Sequence, residues 1–434
     1  MREMKDSGID WIGTIPQDWQ LSKIGSLYTQ RNEKVSDKDY QPLSVTMQGI
    51  LPQLATAAKT NDGDNRKLVR VGDFAINSRS DRRGSCGISP LDGSVSLINI
   101  ILTPRTAMHP GYYNWLFHTT LFADEFYKWG HGIVADLWTT RWQEMKSITV
   151  PVPEYAEQER IAAFLDAECA EIDAVLEKTR ASIEEYKKLK QAIITQAVTK
   201  GIRGDRPMKD SGIEWIGDIP AEWSVVRQKY FWNTIESGVS VNAADKPVDN
   251  SEQYGVLKTS AVSKFMFIPT EHKQVNLEEY GRVSCPVRAD SIIASRMNTP
   301  ELVGACGYVQ NNYPNLFLPD RLWQITFKDE LSPKYAWYYL SGIRVRQYIS
   351  SLSTGTSSSM QNISQSQYGN IFITIPSIGE QSEIAKYLDE KCNSVDALIA
   401  KKQQYLIEIE NYKKSLIYEY VTGKKEVKTS VLAD

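Results

Sequence analysis

The sequence has little of what marks exported, membrane-spanning or metal-binding proteins. It contains no run of about eighteen apolar residues, and its first residues lack the basic-then-apolar order of a signal peptide. The 5 cysteines lie far apart without a CxxC pair, and the 4 histidines show no metal-ligand spacing. These absences argue against zinc clusters and a disulfide framework. We therefore expect a cytoplasmic protein with reduced, structural cysteines, no metal site and no membrane contact.

A strong charge of either sign is also missing, since the formal net charge is −3. Basic and acidic side chains are nearly balanced in both halves of the chain. A free-standing nucleic-acid-binding protein usually has a strongly basic face. Any contact with DNA must therefore depend on local clusters or on partner subunits.

Several catalytic motifs are absent from the sequence. It has no GxxxxGK[ST] phosphate loop, no Asn-Pro-Pro-aromatic motif with a glycine-rich cofactor loop, and no convincing nuclease carboxylate cluster. We expect no catalytic residue, no bound cofactor and no enzymatic activity in this chain.

The sequence instead contains a long internal repeat. The phrase "MKDSGIDWIGTIPQDW" at 4–19 returns as "MKDSGIEWIGDIPAEW" at 208–223. A chance match of that length is not credible, so the 434 residues are two copies of one unit. Further along, "DFAINSR" aligns with "DSIIASR", which sets Arg79 opposite Arg296. "SCG" aligns with "ACG", and from Pro110 opposite Pro333 onward the separation of the copies is constant.

The first part of each copy is variable and mixed in character. Apolar runs such as "FAIN", "VSLINIIL" and "LWQITF" alternate with Gly, Asn and Asp turns, which predicts short strands. The segment "PGYYNWLFHTTLFADEFYKW" has near-helical apolar spacing, and "PKYAWYYLSGIRVRQYIS" matches it in the second copy. Each variable part is therefore predicted to be an α+β domain with a helix after its strands.

The second part of each copy is predicted to be one long helix. From Glu157 to Val198 there is no proline or glycine, and apolar residues recur at alternating steps of three and four. About forty residues make a helix of roughly 60 Å, and Gly201 and Gly423 follow the two predicted ends. The packing stripe consists of Ile161, Leu165, Ile172, Val175, Ile183 and Ile193 in the first helix, and of Ile384, Leu388, Val395, Leu398, Ile409 and Leu416 in the second.

A helix of this length with a single apolar stripe needs a partner, and the other copy offers a matching stripe. We expect an α+β protein in which two globular domains are separated by two long antiparallel helices that form an intramolecular coiled coil about a pseudo-two-fold axis. The expected division is a first globular domain at 1–153, a helical spacer at 154–202, a second globular domain at 203–376, a second spacer at 377–426 and a tail at 427–434.

The chain resembles the specificity subunit of Type I restriction-modification enzymes over essentially its whole length. The resemblance rests on "SGIxWIGxIPxxW" before each variable domain and on "EQxxIAxxLD" at the start of each long helix, present as "EQERIAAFLD" and "EQSEIAKYLD". Both motifs occur twice in the same order. The resemblance implies two target-recognition domains that each read half of a split DNA sequence, while the helical pair sets the unread gap between the halves.

The same resemblance implies the partners. They are double-stranded DNA, two DNA methyltransferase subunits and, in a full complex, restriction and translocase subunits; a methylation-only complex is equally compatible. The family carries no catalytic site of its own. The alternative from another class is a coiled-coil scaffold that does not bind DNA and whose end domains bind proteins.

Candidate DNA-binding residues follow the strand that ends each aligned run. Arg79 and Arg296 lead, because arginine is the usual bidentate partner of guanine. Arg82 and Arg83 in "SDRRGS" and Asn298 in "MNTPELVG" come next. An internal salt bridge is the competing explanation for the repeated arginine.

Two matched loops before the helices also carry candidates. "WGHGIVAD" contains His131, which alone means little, and "STGTSSSMQNIS" contains Ser358, Gln361 and Asn362. Their small and amide side chains suit close approach to a DNA backbone or an adenine edge, although ordinary connecting loops have similar composition. The repeated tryptophans are expected to pack where each globular domain meets the helices.

Overall fold

A computed structural model of the chain describes residues 2–54, 63–132, 138–250, 252–357 and 360–428. The chain forms two compact units. Unit 1 contains Met1–Arg180 together with Gln403–Asp434, and unit 2 contains Ala181–Lys402. Both boundaries fall inside the two long helices, so each unit contains one copy of the repeated phrase, one variable region and one part of each long helix.

The helices confirm the two long predicted elements and correct a shorter one. Where one helix was predicted after Pro110, the structure has two, because Thr119 interrupts the first: its hydroxyl bonds to the Leu116 carbonyl and accepts the Phe122 N–H, capping a new helix. Gly342 separates the matching pair in unit 2. In chain order the helices are α1 (Ile24–Leu27), α2 (Pro110–Phe117), α3 (Thr120–Lys128), α4 (Trp142–Met145), α5 (Tyr155–Lys200), α6 (Pro333–Ser341), α7 (Ile343–Leu352), α8 (Gln365–Gly369) and α9 (Ile378–Val421).

In unit 1 an antiparallel sheet of order β10-β9-β12-β4 supports the variable region. Beside it lie the sheet β11-β8-β5 and the hairpins β1-β2 and β6-β7, and β13 pairs with β3. The strands are β1 (Met4–Asp6), β2 (Thr14–Pro16), β3 (Gln20–Lys23), β4 (Tyr28–Arg31), β5 (Lys34–Val35), β6 (Leu43–Thr46), β7 (Gly49–Pro52), β8 (Arg66–Val69), β9 (Phe74–Asn77), β10 (Cys86–Ile88), β11 (Gly93–Val95), β12 (Asn99–Pro104) and β13 (Thr149–Val152).

Unit 2 repeats the central sheet with the order β24-β22-β26-β17. It adds the five-stranded sheet β18-β20-β19-β25-β21 and the small sheet β23-β28-β27, while β14 pairs with β15 and β16 with β29. The strands are β14 (Met208–Asp210), β15 (Asp218–Pro220), β16 (Ser224–Arg227), β17 (Trp232–Ser237), β18 (Ala243–Ala244), β19 (Gly255–Leu257), β20 (His272–Val275), β21 (Pro286–Val287), β22 (Ser291–Ser295), β23 (Met297–Asn298), β24 (Cys306–Val309), β25 (Tyr313–Phe317), β26 (Leu322–Phe327), β27 (Thr354–Ser357), β28 (Met360–Asn362) and β29 (Phe372–Ile375).

The long helices run antiparallel within each unit. In unit 1, Lys413 of α9 contacts Asp173 of α5 at 2.6 Å, and Arg180 contacts Glu410 at 2.7 Å. The residue numbers rise on one helix as they fall on the other. In unit 2, Lys190 contacts Asp396 at 2.6 Å, and Arg203, just past α5, contacts Glu383 at 2.8 Å. These exposed ion pairs set the register more than they add stability, since each is worth about 0 to 1 kcal/mol.

Most residues of the predicted stripe face inward, but two do not. Val175 and Leu398 are 39% and 43% exposed, so their assignment to the packing stripe was wrong. The neighbouring residues Leu176 and Ile399 turn inward instead, because a helix of 3.6 residues per turn drifts by about 20° per heptad from a strict three-four repeat. Buried members are Ile161, Leu165, Ile183, Ile384, Leu388, Val395 and Leu416, and partly buried members are Ile172, Ile193 and Ile409.

The repeated phrase attaches the globular region of unit 1 to the helices. The indole N–H of Trp19 donates to the Glu157 carboxylate at 2.9 Å, and the Arg2 guanidinium binds the same carboxylate and that of Asp18 at 2.6 Å. Hydrogen bonding to Glu157 raises the pKa of Arg2. Trp11 and Trp19 are buried, and Trp11 packs edge-on against Phe122. The prediction that the tryptophans pack between domain and helices is confirmed for this unit.

Unit 2 repeats the attachment residue by residue. Trp223 donates to Glu380 at 3.0 Å, and Arg206 binds Glu380 at 2.6 Å and Glu222 at 3.0 Å. Trp223 is buried, while Trp215 is partly buried and stacks on Tyr348 with ring centroids 5.2 Å apart. Hydrogen bonds to charged groups contribute about 1.5 to 3 kcal/mol each when buried. The same attachment therefore holds each globular region on its helix ends.

The glutamine and the aspartate of the "EQxxIAxxLD" motif also form contacts between the helix and the globular region. Gln158 bonds to the Pro153 carbonyl at 2.8 Å and accepts the His109 N–H at 2.8 Å, tying the strand before α5 to the start of α2. Gln381 makes the matching bonds in unit 2. Asp166 accepts the Trp115 indole N–H, and its counterpart Asp389 accepts a tyrosine hydroxyl. The motif encodes this attachment surface.

Candidate nucleic-acid interface

In unit 1 the candidate Arg79 lies just past β9, where the chain meets a second candidate segment. The backbone of Thr139 bridges both Arg79 and His131, and the Ser80 N–H donates to the Trp138 carbonyl at 2.9 Å. The side chain of His131 is exposed. The structure thus brings together the two segments that the sequence singled out separately.

Unit 2 builds the same arrangement more fully, as the sheet β23-β28-β27. Met297 pairs with Asn362 and Asn298 with Gln361, while the Ile363 N–H donates to the Arg296 carbonyl at 3.0 Å. The Asn362 Oδ1 atom makes no hydrogen bond among the described residues. Three predicted residues, Asn298, Gln361 and Asn362, therefore lie in one small sheet, Arg296 directly precedes it, and Ser358 lies outside the described residues.

The strand ladders correct the alignment of the two leading arginines. Ile76 pairs with Cys86 in unit 1, and Ala294 pairs with Cys306 in unit 2, so Ile76 and Ala294 are equivalent. Counting onward, Arg79 is equivalent to Met297, and Arg296 is equivalent to Ser78. Their proposed equivalence was wrong by one residue. Because successive strand residues face opposite sides, the two arginines do not occupy matched sites.

The arginines of unit 1 are exposed and only locally paired. Arg79 contacts Asp81 at 3.1 Å, Arg82 contacts the same carboxylate at 3.9 Å, and Arg83 pairs with Asp124. Arg82 is 69% exposed. Exposed pairs of this kind contribute about 0 to 1 kcal/mol, so the cations are easily shared with an incoming phosphate. The competing explanation for Arg79 was an internal salt bridge. The salt bridge that Arg79 forms is with Asp81 of the same loop.

A polar cleft of about 730 Å³ in unit 1 adjoins these arginines. The deeper arginine of the cleft, Arg66, donates to the Ser94 hydroxyl and carbonyl at 2.9 Å, and burial lowers its pKa. Strand β6 lines the cleft, together with Gln53 and Leu54, which follow β7. Its polar lining includes Ser44, Thr46, Gln53, Asn77, Asp81, Arg82, Arg83, Ser96 and Asn99.

The loop after Asn298 in unit 2 is held by a buried arginine. Arg346 of α7 donates to the carbonyls of Val303 at 2.6 Å and Glu301 at 3.1 Å. Its guanidinium lies 4.9 Å from the ring centroid of Phe265, and desolvation lowers its pKa. Sequence reasoning missed Arg346, because nothing distinguishes a buried arginine in a short polar helix from an exposed one.

In contrast to Arg346, Arg296 is exposed, and its side chain forms no ion pair among the residues that the structure describes. An exposed cation beside amide groups can donate to guanine or to a phosphate, and amides suit adenine edges. Within the described ranges no group of three metal-ligating side chains occurs. The chemistry that these surfaces offer is recognition of a polar, anionic partner.

Comparison with known proteins agrees with this chemistry. The family model described as "Type I restriction modification DNA specificity domain" matches residues 220–411. The chain is 24% identical to the Type I restriction enzyme MjaVIII specificity subunit of Methanocaldococcus jannaschii, covering 95% of this chain and 94% of the relative. It is 20% identical to the EcoKI specificity subunit of Escherichia coli, covering 95% and 90%.

The chain is thus similar to Type I restriction-modification specificity subunits.

Solved structures of specificity subunits share the fold. One chain, from a study of complex assembly and conformational transition in the Type I system, gives a TM-score of 0.69 at 16% identity, covering 95% of this chain and 99% of that chain. The HsdS subunit of Thermoanaerobacter tengcongensis gives 0.50 at 17% identity, covering 95% and 98%. At these identities the likeness concerns the fold alone. Among the described residues, no helix has the length and apolar character needed to span a membrane.

Proposed function

We propose that this chain is the DNA sequence-specificity subunit of a cytoplasmic Type I restriction-modification system and reads a bipartite target. Recognition domain 1, residues 1–153, reads one half-site, and recognition domain 2, residues 203–376, reads the other. The spacers 154–202 and 377–426 form an intramolecular antiparallel coiled coil that sets the gap, followed by the tail 427–434. Half-site spacing is then a geometric property of the protein, as in dimeric DNA readers.

One observation carries this proposal: both units use the same attachment to the helices but present different exposed polar residues. Trp19 and Trp223 bind matching glutamates at 2.9 and 3.0 Å. The exposed edges differ, with three arginines in "SDRRGS" and its flank in unit 1 and an amide-rich sheet in unit 2. Two domains that share one attachment to the helices but differ in their exposed surfaces are suited to recognise two different DNA sequences.

The candidate DNA-binding residues are Arg79, Arg82, Arg83 and His131 in recognition domain 1, and Arg296, Asn298, Ser358, Gln361 and Asn362 in recognition domain 2. The arginines suit guanine or phosphate, and the amides suit adenine edges. Because the copies are not matched residue by residue at the leading arginines, the two half-sites are expected to differ in sequence.

Exposed apolar side chains on the long helices support docking of partner subunits. In unit 1, Ile407 and Tyr412 of α9 are each 54% exposed, Tyr405 is exposed near them in sequence, and Val175 is exposed on α5. In unit 2, Leu189 and Leu398 are exposed. We assign these helices to two DNA methyltransferase subunits, which also help to enclose the DNA and so compensate for the missing basic face. Restriction and translocase subunits join in a full complex. The chain itself is a non-catalytic recognition subunit, and its partners supply the chemistry.

The test is protection of a split DNA site by this chain together with its cognate methyltransferase subunits. Methylation profiling of DNA from cells that express both identifies the target first. Footprinting should then show two protected half-sites separated by an unread gap. A single continuous footprint, or none on the methylated sequence, would contradict the proposal and favour a protein-binding scaffold.

A further inference from the structure

The hairpin β6-β7 of unit 1 presents two exposed side chains at a hydrogen-bonded turn. Thr46 pairs with Gly49, which leaves Met47 and Gln48 as a two-residue turn. The Thr46 hydroxyl accepts the Gln48 N–H at 3.1 Å and donates to the Gly49 carbonyl at 2.9 Å. Gly49 has φ of 101°, which favours glycine. Met47 is 72% exposed, and Gln48 is also exposed.

The turn end of this hairpin packs closely against the central sheet, at Gly49. A Cβ atom added to Gly87 of β10 would lie 2.9 Å from the Gly49 Cα atom, closer than real Cβ atoms approach. The hairpin and the loop bearing Arg82 and Arg83 line the same polar cleft, and Met47 is among its lining residues. The tip therefore stands beside exposed cations, with the Asp81 carboxylate already paired to arginine.

We propose that this hairpin tip enters the major groove of the half-site read by recognition domain 1, where Gln48 reads adenine and Met47 contacts a thymine methyl group. The inference rests on the proposed function. A two-stranded β-ribbon fits the major groove, about 12 Å wide, and a glutamine amide can bond to both N6 and N7 of adenine. The thioether of methionine is an adaptable apolar contact. Arg82 and Arg83 take the flanking phosphates.

Unit 2 provides an internal contrast. Gly307 is the counterpart of Gly87, and the segment crossing it contains Met266 and Phe267, whose backbone N would lie 2.4 Å from an added Cβ atom. Met266 is 53% exposed, but Phe residues flank it and no amide does. This crossing segment therefore lacks an adenine-reading amide, and amide recognition at this location is a property of recognition domain 1.

The experiment measures the affinity of the full complex with methyltransferase subunits for the profiled target and for every single-base substitution of it. Gln48→Ala should lower affinity roughly tenfold at one A·T pair of one half-site and relax discrimination there. Met47→Ala should abolish the loss that deoxyuridine in place of thymidine causes in the wild type. The matched controls are Val71→Ala and Leu277→Ala, which truncate side chains exposed by 63% and 78% elsewhere in units 1 and 2.

The outcomes separate the two proposals. If the wild type fails to protect a split site, the proposed function fails. If the wild type protects it but Gln48→Ala and Met47→Ala keep wild-type discrimination at every base pair, only the hairpin inference is overturned. Equal weakening at all base pairs, or sensitivity in both half-sites, also overturns it. Because both side chains are exposed, thermal unfolding of these variants should match that of the wild type.

Discussion

Units 1 and 2 differ least where each globular region meets the helices and most where each is exposed. The Trp19–Glu157 and Trp223–Glu380 contacts differ by 0.1 Å in length (2.9 and 3.0 Å), and an arginine binds each glutamate. The exposed edges share neither charge nor register. The two units therefore share the attachment to the helices, while their outer surfaces differ.

The two units also differ in how the loop that follows the equivalent strands, β9 and β22, is held in place. In unit 1 the loop after β9 is short and its arginines pair with Asp81 and Asp124 on the surface. In unit 2 the matching connection from β22 to β24, residues 296–305, is longer than residues 78–85 of unit 1, and Arg346 holds it from inside by binding two of its carbonyls. A longer loop loses more conformational entropy on ordering, which explains why it needs the buried support.

The largest expected effect comes from lengthening one of the helices that both units share. Inserting four helix-forming residues after Arg180 should change the gap of the methylated target or abolish assembly, because α5 would gain about one turn, or roughly 6 Å. Methylation profiling measures the gap. The control is a four-residue insertion after Gly204, whose Cβ position has open space, and it should leave the gap unchanged. An unchanged target in the α5 variant would contradict the spacing role.

The equivalence of the two attachments predicts equal costs when each is broken. Trp19→Ala and Trp223→Ala should each destabilise its own unit by about 3 to 5 kcal/mol, measured by denaturant unfolding. Trp129→Ala, at a residue 41% exposed, should change stability by less than about 0.5 kcal/mol. A large difference between the first two variants would show that the attachments are not equivalent.

The internal support of the longer loop distinguishes unit 2. Arg346→Met keeps much of the side-chain volume but removes both loop hydrogen bonds, so we expect a loss of about 3 kcal/mol in unfolding free energy. Affinity for the half-site of recognition domain 2 should fall while the other half-site is unaffected. Arg344→Met, at an exposed neighbour on α7, is the control. Equal loss at both half-sites would contradict a local role.

The smallest expected effect concerns Arg296 itself. Arg296→Ala should relax or abolish recognition of one half-site, with about 1 to 3 kcal/mol lost at the base pair that it reads. The other half-site should keep its affinity, and thermal unfolding should be unchanged because the side chain is exposed. Quantitative footprinting of each half-site gives the measurement. Loss of folding would indicate a structural role instead.

The long helices and the attachment of the repeated phrase could be predicted from the sequence. Helical periodicity persists over many turns. The duplicated tryptophans lie outside the variable region, which favours packing at the helices over a role in sequence recognition. The strand register at Arg79 and Arg296 could not be predicted. A strand that is buried on both faces is apolar at every position, so its sequence pattern does not distinguish two alignments that differ by one residue. Val175 and Leu398 show the same limit on helices, where a drift of one position exchanges exposed and buried sides.

The candidate surfaces were predicted in part. The two segments that meet at Thr139 and the two that meet in β23 and β28 were both named from the sequence, although their adjacency was not. Met47 and Gln48 gave no signal, because a two-residue turn between short strands resembles many others. Arg346 was missed because its burial depends on the packing of α7 against the loop, a contact between distant parts of the chain.

Gly87 and Gly307 have a consequence for how new specificities arise. Each glycine leaves room for a crossing backbone, at Gly49 in unit 1 and at Met266 and Phe267 in unit 2, so the crossing segment is constrained in position. A hairpin crosses in one unit and an irregular segment in the other. The same position on the central sheet therefore accommodates two crossing segments of different conformation and different side chains.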